Sequence, residues 1–199
     1  MLKLSKKGET LPASPIRKLV PFSENAKKEG VKVYHLNIGQ PDIQTPECAL
    51  EAVKNIDTKI IAYTHSAGNL SYREALADFY STATRNILPE DIIVTTGGSE
   101  AIIFTIMATC DQDDEIIIPE PYYANYNSFA TEVGAEIVPV ATYIEDGFSL
   151  PSIQEIEKKI TPRTKAIMIC NPNNPTGYLY TQEELLRLQE VVEKHGIYL

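Results

Sequence analysis

The sequence contains no tryptophan and only three cysteines, Cys48, Cys110 and Cys170, with no C-x-x-C spacing among them. An odd number of widely spaced thiols argues against a disulfide framework and against a zinc site. The chain also lacks the run of about 18 apolar residues that a membrane span requires, and no apolar stretch follows its first basic residues as in a secretory signal. These absences predict a cytoplasmic protein with reduced thiols, no metal and no membrane contact.

A basic surface is missing as well. The 18 lysines and arginines are outnumbered by 27 aspartates and glutamates, which gives a formal net charge of −9. Nucleic acids and anionic membranes both select a basic face, so this balance argues against both kinds of partner. What the chain does have is 199 residues with 43% apolar content. A chain of that size buries roughly 70% of its unfolded surface, which is enough for a hydrophobic core.

Helical and strand-like segments alternate along the chain. Apolar residues recur with helical spacing in segments 15–28, 48–56, 71–86, 99–110, 123–133 and 181–195. Short β-rich runs lie between them, at 92–94, 115–118, 136–139 and 165–169. Most of these runs are apolar on both faces, as in strands buried within a parallel sheet. The alternation predicts an α/β layer fold.

The last element is incomplete. After Gly196, which ends the last helical segment, the chain enters the β-rich residues Ile197, Tyr198 and Leu199 and ends there. A buried strand normally has about 5 to 6 residues. We therefore expect the chain to be the N-terminal part of a longer protein, truncated within a core strand.

One candidate binding segment is residues 91–101, where an apolar run leads through Gly97 and Gly98 to Ser99 and a helix. The first amides of a helix have no internal acceptor and carry the positive end of the helix dipole, so this arrangement binds anions such as phosphate. A tight turn followed by an ordinary helix cap explains the same residues equally well. Neither the P-loop pattern nor the G-x-G-x-x-G dinucleotide pattern is present.

The same residues also read as G-x-S-x-A, which differs at one position from the nucleophile elbow of serine hydrolases. A hydrolase with Ser99 as its nucleophile needs an acid and then a histidine later in the chain. The only later histidine is His195, at the end of a charged helical segment. This alternative function therefore depends on His195 alone.

A second candidate segment is the stretch 170–177, which follows an apolar run and contains three asparagines, two prolines and a glycine. These residues stiffen a loop, and we expect the asparagine side chains to point outward. The loop falls at the carboxyl end of a strand, where open α/β sheets bind ligands. As an ordered string, NPNNPTG is the most specific motif in the chain.

Four strings together resemble a known enzyme family. They are LNIGQPD at 36–42, AYTHSAGNLSYREAL at 62–76, TTGGSEA at 95–101 and NPNNPTG at 171–177. In this order they resemble the class I and II pyridoxal-phosphate aminotransferases of the aspartate aminotransferase fold, fold type I. The resemblance extends from Ser14 onward and implies a truncated three-layer α/β/α sandwich with a mostly parallel sheet. It also implies an N-terminal arm with the start of the small domain at 1–46, and an incomplete cofactor-binding large domain at 47–199.

The resemblance implies pyridoxal 5'-phosphate (PLP) as the cofactor. The backbone amides of Gly98, Ser99 and Glu100 match the cradle of the cofactor phosphate. Asn174 matches the asparagine that hydrogen-bonds the phenolate oxygen of the cofactor. Tyr123 falls where the family stacks an aromatic ring, often a tryptophan, on the cofactor ring.

Two further positions concern the substrate and a second subunit. Gly39 matches the position where the backbone approaches the α-carboxylate of the substrate. Tyr63 resembles the tyrosine that reaches the cofactor phosphate of the other subunit in a homodimer, and an ordinary half-buried aromatic is its alternative. The implied reaction transfers an amino group between an L-amino acid and a 2-oxo acid.

The remaining groups of the family's active site fall outside this chain. They are the carboxylate that pairs with the cofactor ring nitrogen, the lysine that forms the Schiff base and the arginine that binds the substrate carboxylate. None of the lysines present, for example Lys158, Lys159 and Lys165, matches the lysine motif. We therefore expect no catalytic residue in this chain and no activity from it alone. A non-catalytic chain that binds phosphate-bearing ligands is the other alternative.

Overall fold

The computed structural model describes residues 2–11, 14, 17–82 and 84–199, except for the side chain of Thr10. The first residues of the helix predicted at 15–28, and part of the resemblance that begins at Ser14, therefore lie outside the described residues. The chain forms two compact units, one of Met1–Glu24 with Gly98–Leu199 and one of Asn25–Gly97. The division at residue 46 that the resemblance implies stays a prediction.

Helices are the commonest regular elements among the described residues. They are α1 (Lys6–Thr10), α2 (Val20–Lys28), α3 (Glu47–Lys54), α4 (Leu70–Tyr80), α5 (Gly97–Thr109), α6 (Tyr126–Val133), α7 (Ile153–Glu157) and α8 (Gln182–His195). Single turns of 3-10 helix lie at Arg17–Leu19, Pro89–Asp91 and Ile144–Asp146. In the described part of the chain, no helix combines the length and the apolar character needed to cross a bilayer.

A parallel sheet forms within the unit that contains residues 98–199. Its strands are β1 (Glu115–Glu120), β2 (Glu136–Ala141) and β3 (Thr164–Ile167), in the order β2-β1-β3. Both neighbours pair with β1 in parallel. Beside β3, Tyr198 forms a parallel bridge with Ala166. The predicted strands at 115–118 and 136–139 are thus confirmed. The strand predicted at 165–169 is present but ends at Ile167, and within residues 197–199 only Tyr198 forms a bridge.

The central strand β1 is buried on both faces. Ile116 and Ile118 belong to one hydrophobic cluster with Ile106 of α5. Ile117 belongs to a second cluster with Leu188 of α8. Because successive side chains of a strand point to opposite faces, helices cover both sides of the sheet. This arrangement is the three-layer α/β/α sandwich that the resemblance implied.

Reciprocal caps determine where two helices begin. The Thr181 hydroxyl accepts the Glu184 N–H, and the Glu184 carboxylate accepts the Thr181 N–H, at the start of α8. Ser152 and Glu155 form the same capping box at the start of α7. Such caps satisfy backbone donors that have no partner inside the helix. The sequence prediction omits α7, although the S-x-x-E spacing of 152–155 identifies it.

The strand predicted at 92–94 is not a strand in the structure. It has no strand partner among the described residues, and the Val94 N–H instead donates to the Ala67 carbonyl at 2.9 Å. A β-rich composition favours extended backbone but does not by itself supply a neighbouring strand.

The helix predicted at 71–86 is shorter than expected. It ends at Tyr80, and the Ser81 hydroxyl then accepts the Ile87 N–H at 3.0 Å. This local bond closes a turn in place of the next helical turn, as serine side chains commonly do.

In the unit of Asn25–Gly97, a buried arginine joins two loops. The Arg73 guanidinium, 8% exposed, donates to the Pro89 carbonyl at 2.7 Å and to the Gly68 carbonyl at 3.3 Å. Gly68 has a φ of +101°, and a Cβ there would lie 2.5 Å from the Val94 Cβ. Both the backbone conformation and the available space therefore require glycine at this position of the SAGNLSY string.

A buried carboxylate holds the amino end of the sheet. Glu115, 4% exposed, accepts hydrogen bonds from Arg163 Nη2 at 2.5 Å, from the Thr161 hydroxyl at 2.5 Å and from the Thr164 hydroxyl at 3.2 Å. Arg163 also lies 3.5 Å from the carboxylate of Glu136 in β2. A buried charge is tolerated only when it is paired and hydrogen-bonded in this way. Glu115 thus connects the first residue of β1 to the start of β3 and, through Arg163, to β2.

We expect Glu115→Ala to lower the free energy of unfolding by about 2 kcal/mol, because it removes the acceptor shared by two hydroxyls and a guanidinium. Glu136→Ala removes a half-exposed partner of the same arginine and should cost less than about 0.5 kcal/mol. Urea unfolding of the two variants measures the difference. Equal losses would contradict an anchoring role for Glu115.

Candidate functional site

Three segments meet at the carboxyl end of the sheet. β1 is followed by residues 121–126, and β3 leads into the loop 170–177. The last residue of α5, Thr109, is joined by a short turn to the first residue of β1, so the helix ends at the amino end of the sheet. The start of α5 therefore lies at the opposite, carboxyl end. A 13-residue helix is about 20 Å long, which matches the length of a six-residue strand. Parallel α/β sheets bind their ligands at this edge.

The first of the three segments is the start of α5. Gly97 has a φ of +80°, which favours glycine, and the helix then continues through Gly98, Ser99 and Glu100. Gly98 and Ser99 are exposed, and Glu100 is half-buried. A Cβ on Gly98 would meet no described atom within 4 Å, so the space in front of the helix is open. The first amides of the helix and the Ser99 hydroxyl can donate to an anion there.

The second segment carries Tyr123. Its half-buried ring packs edge-on against the ring of Tyr126, with 5.4 Å between centroids and 86° between planes. Its hydroxyl accepts a hydrogen bond from Asn125 Nδ2 at 2.7 Å. The two contacts fix the plane of the ring and its outer end. A ring held in this way is suited to stacking on a flat ligand.

The third segment, the loop 170–177, uses two of its three asparagines to hold its own shape. Asn171 Oδ1 accepts a backbone N–H at 3.0 Å. Asn173 Nδ2 donates to Thr176 Oγ1 at 2.8 Å and to the Pro121 carbonyl at 3.1 Å. Asn174 is exposed, and its amide has no hydrogen bond to another described residue. The prediction that the asparagine side chains point outward thus holds for Asn174 but not for the two that bond within the protein.

A tyrosine attaches this loop to α8. The Tyr178 hydroxyl donates to the Glu184 carboxylate, at 3.0 Å from Oε1 and 3.1 Å from Oε2. Burial raises the pKa of Glu184, but hydrogen bonds from Thr181, the Leu150 N–H and Tyr178 outweigh it and lower the pKa below its ordinary value. Glu184 is therefore an ionised acceptor at neutral pH. Sequence analysis did not identify Tyr178 or Asn173, because nothing in their residue types distinguishes a loop-fixing residue from a ligand-binding one.

Two buried phenols lie beneath the edge. Burial, together with the neighbouring Cys170 thiol and Tyr123, raises the pKa of Tyr126 to about 12. Burial is also the main cause that raises the pKa of Tyr180 to about 12. Both phenols are therefore neutral throughout the physiological range.

Two of the predicted site residues belong to the unit of Asn25–Gly97. Gly39 is exposed, and a Cβ there would meet no described atom within 4 Å. The Tyr63 ring is fully exposed, at 106%. Tyr63 is therefore not the half-buried aromatic of the alternative interpretation.

The lysines named above lie away from the carboxyl edge. Lys158 and Lys159 are exposed after α7, where the chain leads to the amino end of β3. Lys165 lies near that amino end, 3.8 Å from the carboxylate of Asp114. Cys170 follows it five positions later in the chain, which is about 16 Å of extended backbone. None of these three side chains is placed to reach a ligand at the carboxyl edge.

His195 also lies at the amino end of the sheet. Its Nε2 is 3.1 Å from Glu157 Oε1, and it lines a cavity with Thr164 and Lys165. Ser99 is at the carboxyl end. Within the described residues, the structure does not bring together the serine and the histidine that a hydrolase requires.

Known proteins match the chain over most of its length. The family model described as aminotransferase class I and II matches residues 31–199. Aspartate/prephenate aminotransferase of Thermus thermophilus is 37% identical over 175 residues, which are 87% of this chain and 45% of that protein. Aspartate aminotransferase of Bacillus subtilis is 33% identical over 198 residues, which are 98% of this chain and 50% of that protein.

Solved structures give the same result. Alanine aminotransferase from Pyrococcus furiosus matches with a TM-score of 0.90 and 35% identity, over 98% of this chain and 50% of that chain. Aspartate aminotransferase of Thermotoga maritima matches with a TM-score of 0.89 and 31% identity, over 98% of this chain and 52% of that chain. The predicted fold class is confirmed, and the chain spans about half the length of these relatives.

We expect the free energy of unfolding to fall as the pH rises from about 10 towards 12. Tyrosine in the unfolded chain ionises near pH 10, whereas the folded pKa of Tyr126 and of Tyr180 is about 12. Between those values only the unfolded state loses the proton, so alkali favours unfolding. Urea unfolding across this range should show that the free energy of unfolding falls less for Tyr126→Phe than for the unmodified chain. Tyr63→Phe, which alters an exposed ring, serves as the control. If the free energy of unfolding changed equally with pH in the two variants, the burial of the Tyr126 hydroxyl would be contradicted.

Proposed function

Because the chain belongs to the class I and II aminotransferase family, we propose that the protein is a PLP-dependent aminotransferase. It transfers an amino group between an L-amino acid and a 2-oxo acid. The observation that carries the proposal is the meeting of the α5 start, Tyr123 and the Asn174 loop at one edge of the sheet. The relatives named aspartate/prephenate, aspartate and alanine aminotransferase support an amino acid and its oxo acid as the substrate pair.

The donors at the start of α5 fit the phosphate of PLP. We propose that the amides of Gly98, Ser99 and Glu100, with the Ser99 hydroxyl, hold this dianion. The positive end of the helix dipole stabilises negative charge at this position. The open space in front of Gly98 supports the assignment, because a phosphate must approach the backbone closely.

The other two segments fit the ring of the cofactor. We propose that Tyr123 stacks on the ring and that the Asn174 amide donates to its phenolate oxygen. The fixed orientation of Tyr123 and the exposure of Asn174 support these roles. When bound, PLP supplies the electron sink that lowers the barrier to breaking bonds at the substrate's α-carbon.

The substrate and subunit roles are also part of the proposal. Gly39 leaves room for the α-carboxylate of the substrate, since its backbone is exposed and carries no side chain. Tyr63 reaches the cofactor phosphate of a second copy in a homodimer. Its full exposure supports this role, because a ring that contacts a partner is not buried in its own chain. We propose a cytoplasmic location for the enzyme.

Three groups that the reaction requires are not assigned to any residue of this chain. They are the lysine that carries the cofactor, the carboxylate for its ring nitrogen and the arginine for the substrate carboxylate. Lys158, Lys159 and Lys165 lie away from the carboxyl edge. The proposal therefore assigns cofactor binding, and not catalysis, to the 199-residue chain.

We expect the chain to bind pyridoxamine 5'-phosphate, a form of the cofactor that has no aldehyde to react with surface lysines. Ser99→Ala should weaken this binding roughly tenfold, because a hydrogen bond to a charged group contributes about 1.5 kcal/mol or more. Isothermal titration calorimetry measures both affinities. Tyr63→Ala should weaken binding only at concentrations where sedimentation shows a dimer.

Matched controls isolate the phosphate site. Ser152→Ala removes a serine at the start of another helix, α7, and should leave the affinity unchanged. Pyridoxamine lacks the phosphate and should bind far more weakly than its phosphate ester. Equal affinities for the two ligands, or no effect of Ser99→Ala, would rule out the phosphate cradle.

We also expect the chain to form no specific covalent adduct with PLP and to show no transamination. Borohydride reduction followed by peptide mapping tests this, with labelling spread over exposed lysines as the expected result. A single reduced lysine together with turnover would overturn the assignment of catalysis to residues outside this chain.

A further inference from the structure

A single side chain connects two of the three segments at the carboxyl edge. The half-buried Asn173 amide donates from Nδ2 to the Pro121 carbonyl, in the segment that carries Tyr123, at 3.1 Å. The same nitrogen donates to Thr176 Oγ1, in its own loop, at 2.8 Å. Both protons of the amide are therefore used, one on each loop.

The hydrogen bonds of the loop couple the position of Asn174 to that of Asn173. The Asn173 N–H donates to the Tyr178 carbonyl at 2.8 Å, and its own carbonyl accepts the Gly177 N–H at 2.8 Å. Thr176 Oγ1 also accepts the Tyr178 N–H at 3.2 Å. These bonds close a compact turn, so a displacement of Asn173 displaces the next residue with it.

The second segment is equally stiff at its end of the connection. Tyr126, 7% exposed, packs edge-on against the Tyr123 ring, and its hydroxyl lies beside the Cys170 thiol at the start of the loop. Pro121 precedes Tyr123 by two residues. The hydrogen bond from Asn173 to Pro121 thus joins the loop 170–177 to the segment 121–126, each of which is held by its own contacts.

We infer that Asn173 is a positioning residue that sets the distance between the Tyr123 ring and the Asn174 amide. The inference rests on the proposed function, in which these two groups contact the same cofactor ring. Asn173 itself is not among the residues that we propose to contact the cofactor. Its role is to hold the stacking surface and the hydrogen-bond donor in one arrangement before the ligand arrives, which reduces the entropy cost of binding.

The absence of tryptophan makes a direct test possible. Tyr123→Trp introduces the only indole of the chain at the candidate site, and Asn173→Asp then removes both N–H donors while keeping the size of the side chain. In the absence of ligand, we expect the added change to shift the indole emission to the red and to increase its quenching by acrylamide. The far-ultraviolet circular dichroism should stay unchanged.

The neighbouring asparagine is the matched control. In the same Tyr123→Trp background, Asn174→Ala should leave the emission and quenching of the ligand-free chain unchanged, since its exposed amide forms no hydrogen bond to another described residue. Thr176→Val keeps the bond between Asn173 and Pro121 and should have an intermediate effect. If Asn173→Asp does not fold, Asn173→Ala replaces it, because the alanine removes the same donors without adding a charge.

Ligand titration distinguishes the positioning role of Asn173 from the proposed cofactor site. Asn173→Asp and Asn174→Ala in the unmodified background should each weaken the binding of pyridoxamine 5'-phosphate, roughly fivefold or more. An unchanged indole signal in Asn173→Asp would overturn the positioning role, whatever the ligand does. A changed indole signal without any effect of Asn174→Ala on binding would instead overturn the proposed cofactor site and leave the connection between the loops intact.

Discussion

The arrangement of the sheet depends on the hydrogen bonds that the buried Glu115 carboxylate accepts. Removing a charge from water costs several kcal/mol or more unless other groups replace the lost hydration. Arg163, Thr161 and Thr164 supply those groups, and all three lie in the turn before β3 or at its start. The carboxylate therefore stabilises only the pairing in which β3 begins beside the first residue of β1. With the amino end fixed in this way, the carboxyl ends of the strands fall at one edge.

The two edges of the sheet use different chemistry. Charged groups at the amino end, such as Glu115 and Arg163, are paired with each other and so are not available to a ligand. At the carboxyl edge, the groups available to a ligand include backbone amides, a serine hydroxyl, an aromatic ring and an amide side chain, beside the exposed carboxylate of Glu120. A net charge of −9 would repel a phosphate dianion in the absence of local donors. In the proposed function, the helix dipole and the backbone amides at the start of α5 supply that local attraction without adding a cation.

Much of this organisation follows from the sequence, and the exceptions have physical causes. The apolar run at 115–118 predicted a strand correctly, because burial on both faces leaves a clear signal. The run at 136–139 also predicted a strand correctly, although its residues are only partly buried. The run at 92–94 looked the same but is unpaired among the described residues. Pairing depends on a neighbour distant in sequence, which a local pattern does not report. The helix at 71–86 was overestimated for a related reason, since the bond between Ser81 and Ile87 competes with the helix.

The candidate site shows the same limit. The resemblance singled out Asn174 from three asparagines, but it did not show what Asn171 and Asn173 do. Their roles depend on the Pro121 carbonyl and on backbone groups that come close only in the folded chain. The buried charge of Glu115 was equally hidden, because a glutamate before an apolar run resembles an exposed residue at the end of a strand. Residues that touch a ligand are thus recognised from motifs, whereas residues that hold them are recognised from contacts.

Burial of the phenols links the stiffness of the site to its charge. Tyr126 lies near both the Tyr123 ring and Cys170, and the buried Tyr180 packs edge-on against the Tyr178 ring just after the loop. Burial of a phenol disfavours its charged form, which is why the pKa of each phenol is raised to about 12. The same burial that immobilises these rings therefore prevents them from becoming anions beside the edge where we propose that a phosphate binds. A looser packing would lose both properties together, because ring mobility and access of water to the hydroxyl have the same structural cause.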